Sequence, residues 1–207
     1  MATVWTFGDS NTDGFRSSDL WAKKYVEWKG YQPKTYGEII AENLGFELIN
    51  LGKGGSDNYT IFETFCESIG RIEKNDIIIF GWSSPLRFRL VNDWGFWKPI
   101  LPMINLNDHS LKNISINTIN ELLVNRNHTS YSMEVNNWIS LINLAFKDNK
   151  IVHWTSFKCE IKATHVGVSR ITLDTNGEID DGHFSEKGHL ELSEMLMTSF
   201  IENKKLI

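Results

Sequence analysis

The sequence predicts an α/β sandwich built on a mainly parallel sheet, and three observations predict it. Short β-branched or aromatic runs alternate with helical periodicities along the chain. One run, Asp76-Ile77-Ile78-Ile79-Phe80, is apolar after its first residue, as a strand covered on both faces should be. Glycine-bearing turns follow the first three strands, at the edge where open α/β sheets place their sites. The 207 residues suit a single domain with a continuous core.

Taken in order, Thr3-Val4-Trp5-Thr6-Phe7 is a buried strand that runs into a Gly8-Asp9-Ser10-Asn11 turn. Thr35-x-x-Glu38 has capping-box spacing ahead of Ile39, Ile40 and Leu44, and Gly45 is placed to stop the element, so a helix is expected over about 36–44. Phe46 to Asn50 reads as the second strand. Beyond the Gly52/Gly54/Gly55 loop, Ile61, Phe65, Ile69 and Ile72 are spaced for one helical face, and the apolar third strand follows. Val135, Trp138, Ile139, Ile142 and Phe146 mark another helix before the strand Ile151-Val152-His153-Trp154. Ser185 to about Asn203 is a final helix with Leu190, Leu192, Leu196 and Phe200 as its apolar marks. Residues 94–129, rich in Asn and carrying Pro99 and Pro102, fit this alternation least well and read as an insertion within the one domain.

Hydrophobic residues at 41% and charged residues at 23% exclude wholesale disorder and a coiled-coil rod. A net charge of -5 without a dense Lys/Arg run argues against a nucleic-acid partner. No apolar run reaches the roughly 20 residues that span a bilayer, and Met1 to Phe7 lack a basic-then-apolar leader. A soluble protein, cytoplasmic or virion-associated, is therefore expected, with no membrane partner; a leader removed beforehand would leave the same picture. Cys66 and Cys159 lie far apart without metal-ligand spacing and are expected as buried free thiols, a single bridge remaining open.

Three turns carry possible chemistry. Ser10, at the end of the first strand, is well seated for a nucleophile, although Asp9, Ser10 and Asn11 are also ordinary turn and capping residues. Asp180-Asp181-Gly182-His183 offers a carboxylate and an imidazole just before the last helix, or else a solvated acidic loop. Asn50-Leu51-Gly52-Lys53-Gly54-Gly55 could let backbone N–H groups approach a ligand; the full GxxxxGK[ST] phosphate pattern is missing.

In type, order and separation these pieces resemble the SGNH (GDSL-like) hydrolase family across nearly the whole chain. The resemblance implies a three-layer sandwich with a flavodoxin-like central sheet and a serine esterase without a cofactor. It makes Ser10 the nucleophile, His183 its base and Asp180 the orienting carboxylate, Asp-x-x-His spacing favouring Asp180 over Asp181. Ser10 and Gly55 would supply oxyanion-hole N–H groups. Gly188 also fits, five residues beyond His183.

The third block departs from the family pattern, with Gly81-Trp82-Ser83-Ser84 in place of Gly-x-Asn-Asp. Ser83 could offer a hydroxyl in place of the missing asparagine, whose loss would otherwise cost about 100- to 1,000-fold in turnover. The form Gly-Trp-Ser-Ser-Pro-x-Arg is similar to SGNH-like proteins of bacteriophages. Asn11, Trp82 and Arg87 are candidate substrate contacts, Arg87 equally a structural ion pair.

His109, His128, His153, His165 and His189 show no metal-binding arrangement, His153 reads as a core residue, and no metal is implied. Trp21, Tyr25, Trp28 and Tyr31, and separately Trp94, Phe96 and Trp97, are walls for a sugar or acyl group or simply packing. The expected partner is a small-molecule or glycan ester, most simply an acetyl ester. The competing readings are a lipase, lysophospholipase or thioesterase, and a glycan-binding or virion module whose altered third block marks weakened catalysis.

Overall fold

The computed structural model describes residues 2–85, 87–91, 97–100, 128–171 and 181–201. Its centre is a five-stranded sheet formed by β1 (Thr3–Gly8), β2 (Glu47–Asn50), β3 (Ile77–Trp82), β6 (Lys150–Thr155) and β7 (Thr164–His165). All of its pairings are parallel, in the order β2-β1-β3-β6-β7. The chain leaves β1 toward β2 on one side and returns to β3 on the other, so the crevice of a doubly wound sheet opens at the carboxyl ends of β1 and β3. Register brings those ends level, Gly8 opposite Gly81 and Thr6 opposite Asn50.

Alternation along the strands splits the core into two faces. Val4, Ile77, Ile79, Val152 and Trp154 pack under α3 (Tyr36–Leu44) and α6 (Glu186–Ile201), against Tyr36, Ile40, Leu192 and Leu196. Trp5, Phe7, Ile78, Phe80 and Trp82 form an aromatic face under α4 (Asn58–Ser68) and α5 (His128–Ala145), where Phe65, Val135, Trp138 and Ile142 meet them. Asp76 pins the sheet's lower edge, accepting from Thr3 N at 2.9 Å and from the Trp5 indole N–H at 2.9 Å.

Most elements lie where the sequence puts them. Thr35 and Glu38 form the expected capping box, and Gly45 ends α3 in the left-handed region. Two helices depart in detail. The helix after the glycine loop ends at Ser68 and tightens into a 3₁₀ turn over Ile69–Arg71, which rotates Ile69 out to 43% exposure while Ile61 and Phe65 stay buried. In α6 Leu192 and Leu196 carry the packing and Leu190 is exposed. Helix α2 (Leu20–Lys29), capped by left-handed Gly30, has no counterpart in the sequence-based expectation. Its apolar pattern is weak because its packing depends on aromatic rings.

Of the proposed insertion, residues 97–100 form β5 (Trp97–Ile100), antiparallel to β4 (Phe88–Val91); residues 101–127 lie outside the described residues, as do Trp94, Phe96 and His109. Cys66 is exposed on α4 and Cys159 half-buried; both are free thiols, so neither the buried placement of Cys66 nor a bridge holds. Cys66 falls on the solvent side because Ile61 and Phe65 define the packed face. Among the described residues no helix is long and apolar enough to cross a membrane.

Candidate active site

The first strand stops at Gly8, and Asp9 turns the chain into a four-residue helix, α1 (Ser10–Asp13). Asp9 caps it twice over. Its carboxylate accepts from Asn11 N at 3.0 Å, and its carbonyl accepts from Thr12 N and Asp13 N. Of the four amides in this turn, Ser10 N–H is the one not committed to Asp9, as expected of a first-turn donor. Ser10 itself is 3% exposed, so its hydroxyl is held in a fixed environment at the sheet's edge.

The Asp9 carboxylate is also the hub of a buried polar network. Oδ2 accepts from the Ser83 hydroxyl at 2.9 Å and from Arg87 Nη1 at 3.1 Å, and the same guanidinium nitrogen donates to Ser56 O at 2.9 Å. Asn58, fully buried at the start of α4, closes the network: it accepts from Ser83 N at 2.6 Å and donates to Ser83 O at 3.0 Å. Ser83 thus spends its hydroxyl hydrogen on Asp9 and cannot present it to a substrate oxygen, which corrects its expected donor role. Arg87 is the ion-pair partner of Asp9, not a free anion contact. The Trp82 side chain is 1% exposed, stacked on Phe80 at 5.3 Å and donating to His153 Nδ1 at 3.2 Å. That placement removes it from the candidate substrate contacts, because strand alternation turns it into the aromatic core.

The loop after β2 follows the end of β1. Leu51 N donates to Thr6 O at 2.8 Å and Lys53 N to Gly8 O at 3.1 Å. Asn50 is a strut, accepting from Gly52 N and donating to Thr12 O at 2.8 Å. Gly54 N donates to Asp13 Oδ2 at 3.3 Å, and burial pushes the Asp13 carboxyl above its ordinary range despite that bond. Gly55 has φ +76°, a conformation that side chains rarely adopt, and the space beside its α-carbon is open for 4 Å.

The histidine comes from a segment folded back over this edge. Residues 181–185 run antiparallel to 169–171: Ile171 N donates to His183 O at 2.9 Å, Asp181 N to Ile171 O at 3.3 Å and Ser185 N to Ser169 O at 3.1 Å. Gly188 lets α6 start against that strip, since a β-carbon there would stand 2.0 Å from Ser169 O. Asn11, another candidate substrate contact, is buried and accepts from Phe184 N at 3.1 Å, tying this segment to the turn that carries Ser10.

The outcome is a Ser–His–Asp line. His183 Nε2 lies 2.7 Å from Ser10 Oγ, and Asp181 Oδ1 contacts His183 Nδ1 while also accepting from His183 N at 2.9 Å. Asp180, the expected orienting residue, lies outside the described residues. Asp181 takes the ring nitrogen because its carboxylate, two residues before His183, accepts from both the amide and the ring of that residue. Asp181 and His183 are 27% and 24% exposed, so solvent reaches the line from the histidine side. Trp21 stacks flat on the imidazole, centroids 4.0 Å apart and planes 6° from parallel.

Two further histidines are structural. His153 is buried between Trp82 and Asn143 Oδ1, and burial drives its pKa down to about 3. His189 accepts from Tyr36 N at 3.2 Å and is likewise held at about 3, by burial first and by His183 second. His165 is exposed on β7, and the His128 side chain lies outside the described residues. Among the described residues no cluster of His, Cys, Asp and Glu could hold a metal ion. Asp181, Asn58 and Trp21 are the site residues that sequence reasoning did not single out for these roles. The doubled Asp180-Asp181 and the polar Ser56-Asp57-Asn58 after the glycine loop were the only signals for the first two.

Fold and site together define a doubly wound α/β protein with a serine, histidine and aspartate aligned at its switch point. No family model matches the chain, and no curated protein matches it. Among solved structures it is similar to a protein of the lipolytic G-D-S-L family from Desulfitobacterium hafniense DCB-2, at 11% identity over 96% of this chain and 99% of that one, with a TM-score of 0.39. A carbohydrate esterase, whose active site displays divergent catalytic and non-catalytic binding functions, matches at 12% identity over 99% and 70% with a TM-score of 0.49. A G-D-S-L lipolytic family member from Veillonella parvula DSM 2008 matches at 13% over 98% and 74% with a TM-score of 0.37. At these identities and scores the functional reading stands on the chain's own geometry.

Proposed function

We propose that this protein is a serine ester hydrolase working through an acyl-enzyme. One observation carries the reading: Ser10 Oγ is 2.7 Å from His183 Nε2 while Asp181 occupies the other ring nitrogen. In that arrangement His183 takes the Ser10 proton as Oγ attacks the ester carbonyl, and Asp181 keeps the Nδ1–H tautomer and stabilises the imidazolium. The N–H groups of Ser10 and Gly55 hold the oxyanion. His183 then returns the proton to the departing alcohol, and water, activated by the same histidine, releases the acid. No step calls for a cofactor.

The preferred substrate is a short acyl ester, an acetyl group on a glycan. Trp28 and Tyr31, 51% and 52% exposed around the end of α2 with Lys29 against both rings, support this, the Tyr31 hydroxyl reaching Glu186 three residues after His183. Wild type is expected to hydrolyse p-nitrophenyl acetate and S10A not to; equal rates would defeat the enzyme reading. Acetylated glycans set against acyl chains of increasing length then separate an acetylesterase from a lipase or thioesterase.

The engagement of Ser83 with Asp9 favours a second reading, a glycan-binding module with weakened catalysis. With that hydroxyl committed, the third block supplies no side-chain donor through Ser83. Glycan binding by S10A at wild-type affinity, with negligible turnover by wild type, would select this reading.

A further inference from the structure

We propose that Trp21 is a positioning residue for the general base, its indole holding the His183 ring in line with Ser10 and stabilising the imidazolium formed when Ser10 gives up its proton. The proposal rests on the reading of Ser10 and His183 as nucleophile and base. Asp181 and Ser10 engage His183 at Nδ1 and Nε2, whose N–H and lone pair point outward in the plane of the ring. Such in-plane contacts resist a swing out of that plane only weakly, whereas a second ring pressed against the face blocks it. Trp21 supplies that face at 4.0 Å and 6°.

The stack is built from outside the triad. Trp21 lies in the first turn of α2, and residues farther along that helix and just beyond it are fastened to the residue that starts α6, three positions after His183. Glu186 N donates to the Tyr25 hydroxyl at 3.1 Å, and the Glu186 carboxylate pairs with Lys29 at 2.8 Å and accepts from the Tyr31 hydroxyl. Phe15 completes the wall, stacked on Tyr25 at 5.0 Å and edge-on to Trp21 at 6.2 Å. Trp21 Nε1 is buried without a hydrogen-bond partner among the described residues, and the contacts seen on the indole are those with the His183 and Phe15 rings. The chemistry follows from the same contact. As the proton passes from Ser10 Oγ to Nε2 the imidazole becomes a cation, and the electron-rich face of tryptophan attracts a cation lying over it. The attraction is strongest when charge develops, so it acts on turnover more than on substrate binding.

The test is steady-state kinetics on p-nitrophenyl acetate with wild type, S10A, H183A, W21F, W21L and W21L/H183A. W21L is expected to lose about 10-fold in kcat with KM changed less than about 2-fold, the scale on which slight misplacement of a catalytic group is felt. W21F, which keeps an aromatic face, is expected to recover most of that loss. W21L/H183A should be no slower than H183A, because Trp21 acts through the ring that H183A removes. A W21L kcat within about 2-fold of wild type, or a further loss in the double variant, overturns the proposal. S10A as active as wild type defeats the triad itself; S10A inactive with W21L at full kcat defeats the role of Trp21 alone. Should W21L fail to fold, proton NMR of the wild type decides. The His183 ring protons are expected upfield, shifted by the indole ring current, and shifts no different from those of an exposed histidine would refute the stack.

Discussion

Residues 8–13 and residues 181–185 contribute to the same candidate site by different means. The Ser10 turn takes its shape from its own neighbours, β1 delivering Gly8 and Asp9 capping the amides that follow, while Ser83, Arg87 and Asn50 brace a turn whose Ser10, Asn11 and Thr12 are already buried. The histidine segment borrows nearly everything from far along the chain. Its ladder is with 169–171, Asn11 holds Phe184 N, Tyr25 holds Glu186 N and Trp21 covers the ring. A locally built turn can be rigid before the rest of the site is complete, whereas a segment held by distant partners is only as well placed as each of them. His183, the proposed base, is therefore expected to be the more sensitive member of its pair with Ser10.

The largest expected effect comes from breaking the segment at its carboxylate. D181N is expected to lower kcat by about 10⁴-fold through the wrong imidazole tautomer, while D180N leaves kcat near wild type. The reverse ranking, in the same ester assay, would restore Asp180 as the orienting residue.

Acid acts on the two buried histidines. His153 and His189 are neutral in the fold, with pKa near 3 against an ordinary 6.5. Below pH 6.5 the unfolded chain takes up protons that the folded chain refuses, so stability present above pH 6.5 is lost as pH falls toward 3. Measured by urea denaturation, the stability gap between wild type and H153Q is expected to narrow by about 3 kcal/mol between pH 6.5 and 4. A gap that does not change with pH would mean that His153 is not held neutral.

On the nucleophile side, R87M strips the buried Asp9 carboxylate of its cation, with side chains only 13% and 3% exposed. A loss of about 3 kcal/mol in unfolding free energy is expected, and a neutral result would place the strength of that turn in its capping bonds alone.

The smallest effects belong to the ties of the histidine segment. N11A leaves Phe184 N buried without its acceptor and is expected to cost about 1–3 kcal/mol; Y25F, removing the hydroxyl that receives Glu186 N, about 1 kcal/mol. Both should also lower kcat while S10A remains the floor. A larger kcat effect from R87M than from N11A would reverse the contrast between the two regions.

Strand–helix alternation, the apolar run at Ile77–Phe80, the capping box of α3 and the turns after β1 and β2 were legible because each is written in residues close together, where periodicity, caps and glycine act locally. Helix α2 escaped notice because its stability comes from Phe15, Glu186 and His183 and not from an apolar stripe of its own.

By itself the sequence determined a parallel α/β domain with Ser10 at the end of its first strand and a histidine late in the chain, since those follow from local propensity and order. Only the tertiary structure decided that Asp181 faces the ring, that Ser83 and Arg87 serve Asp9, that Trp82 belongs to the core and that Trp21 covers His183. Each of these is a choice among partners 2 to more than 160 residues apart, made by packing and hydrogen-bond satisfaction, which no local pattern encodes.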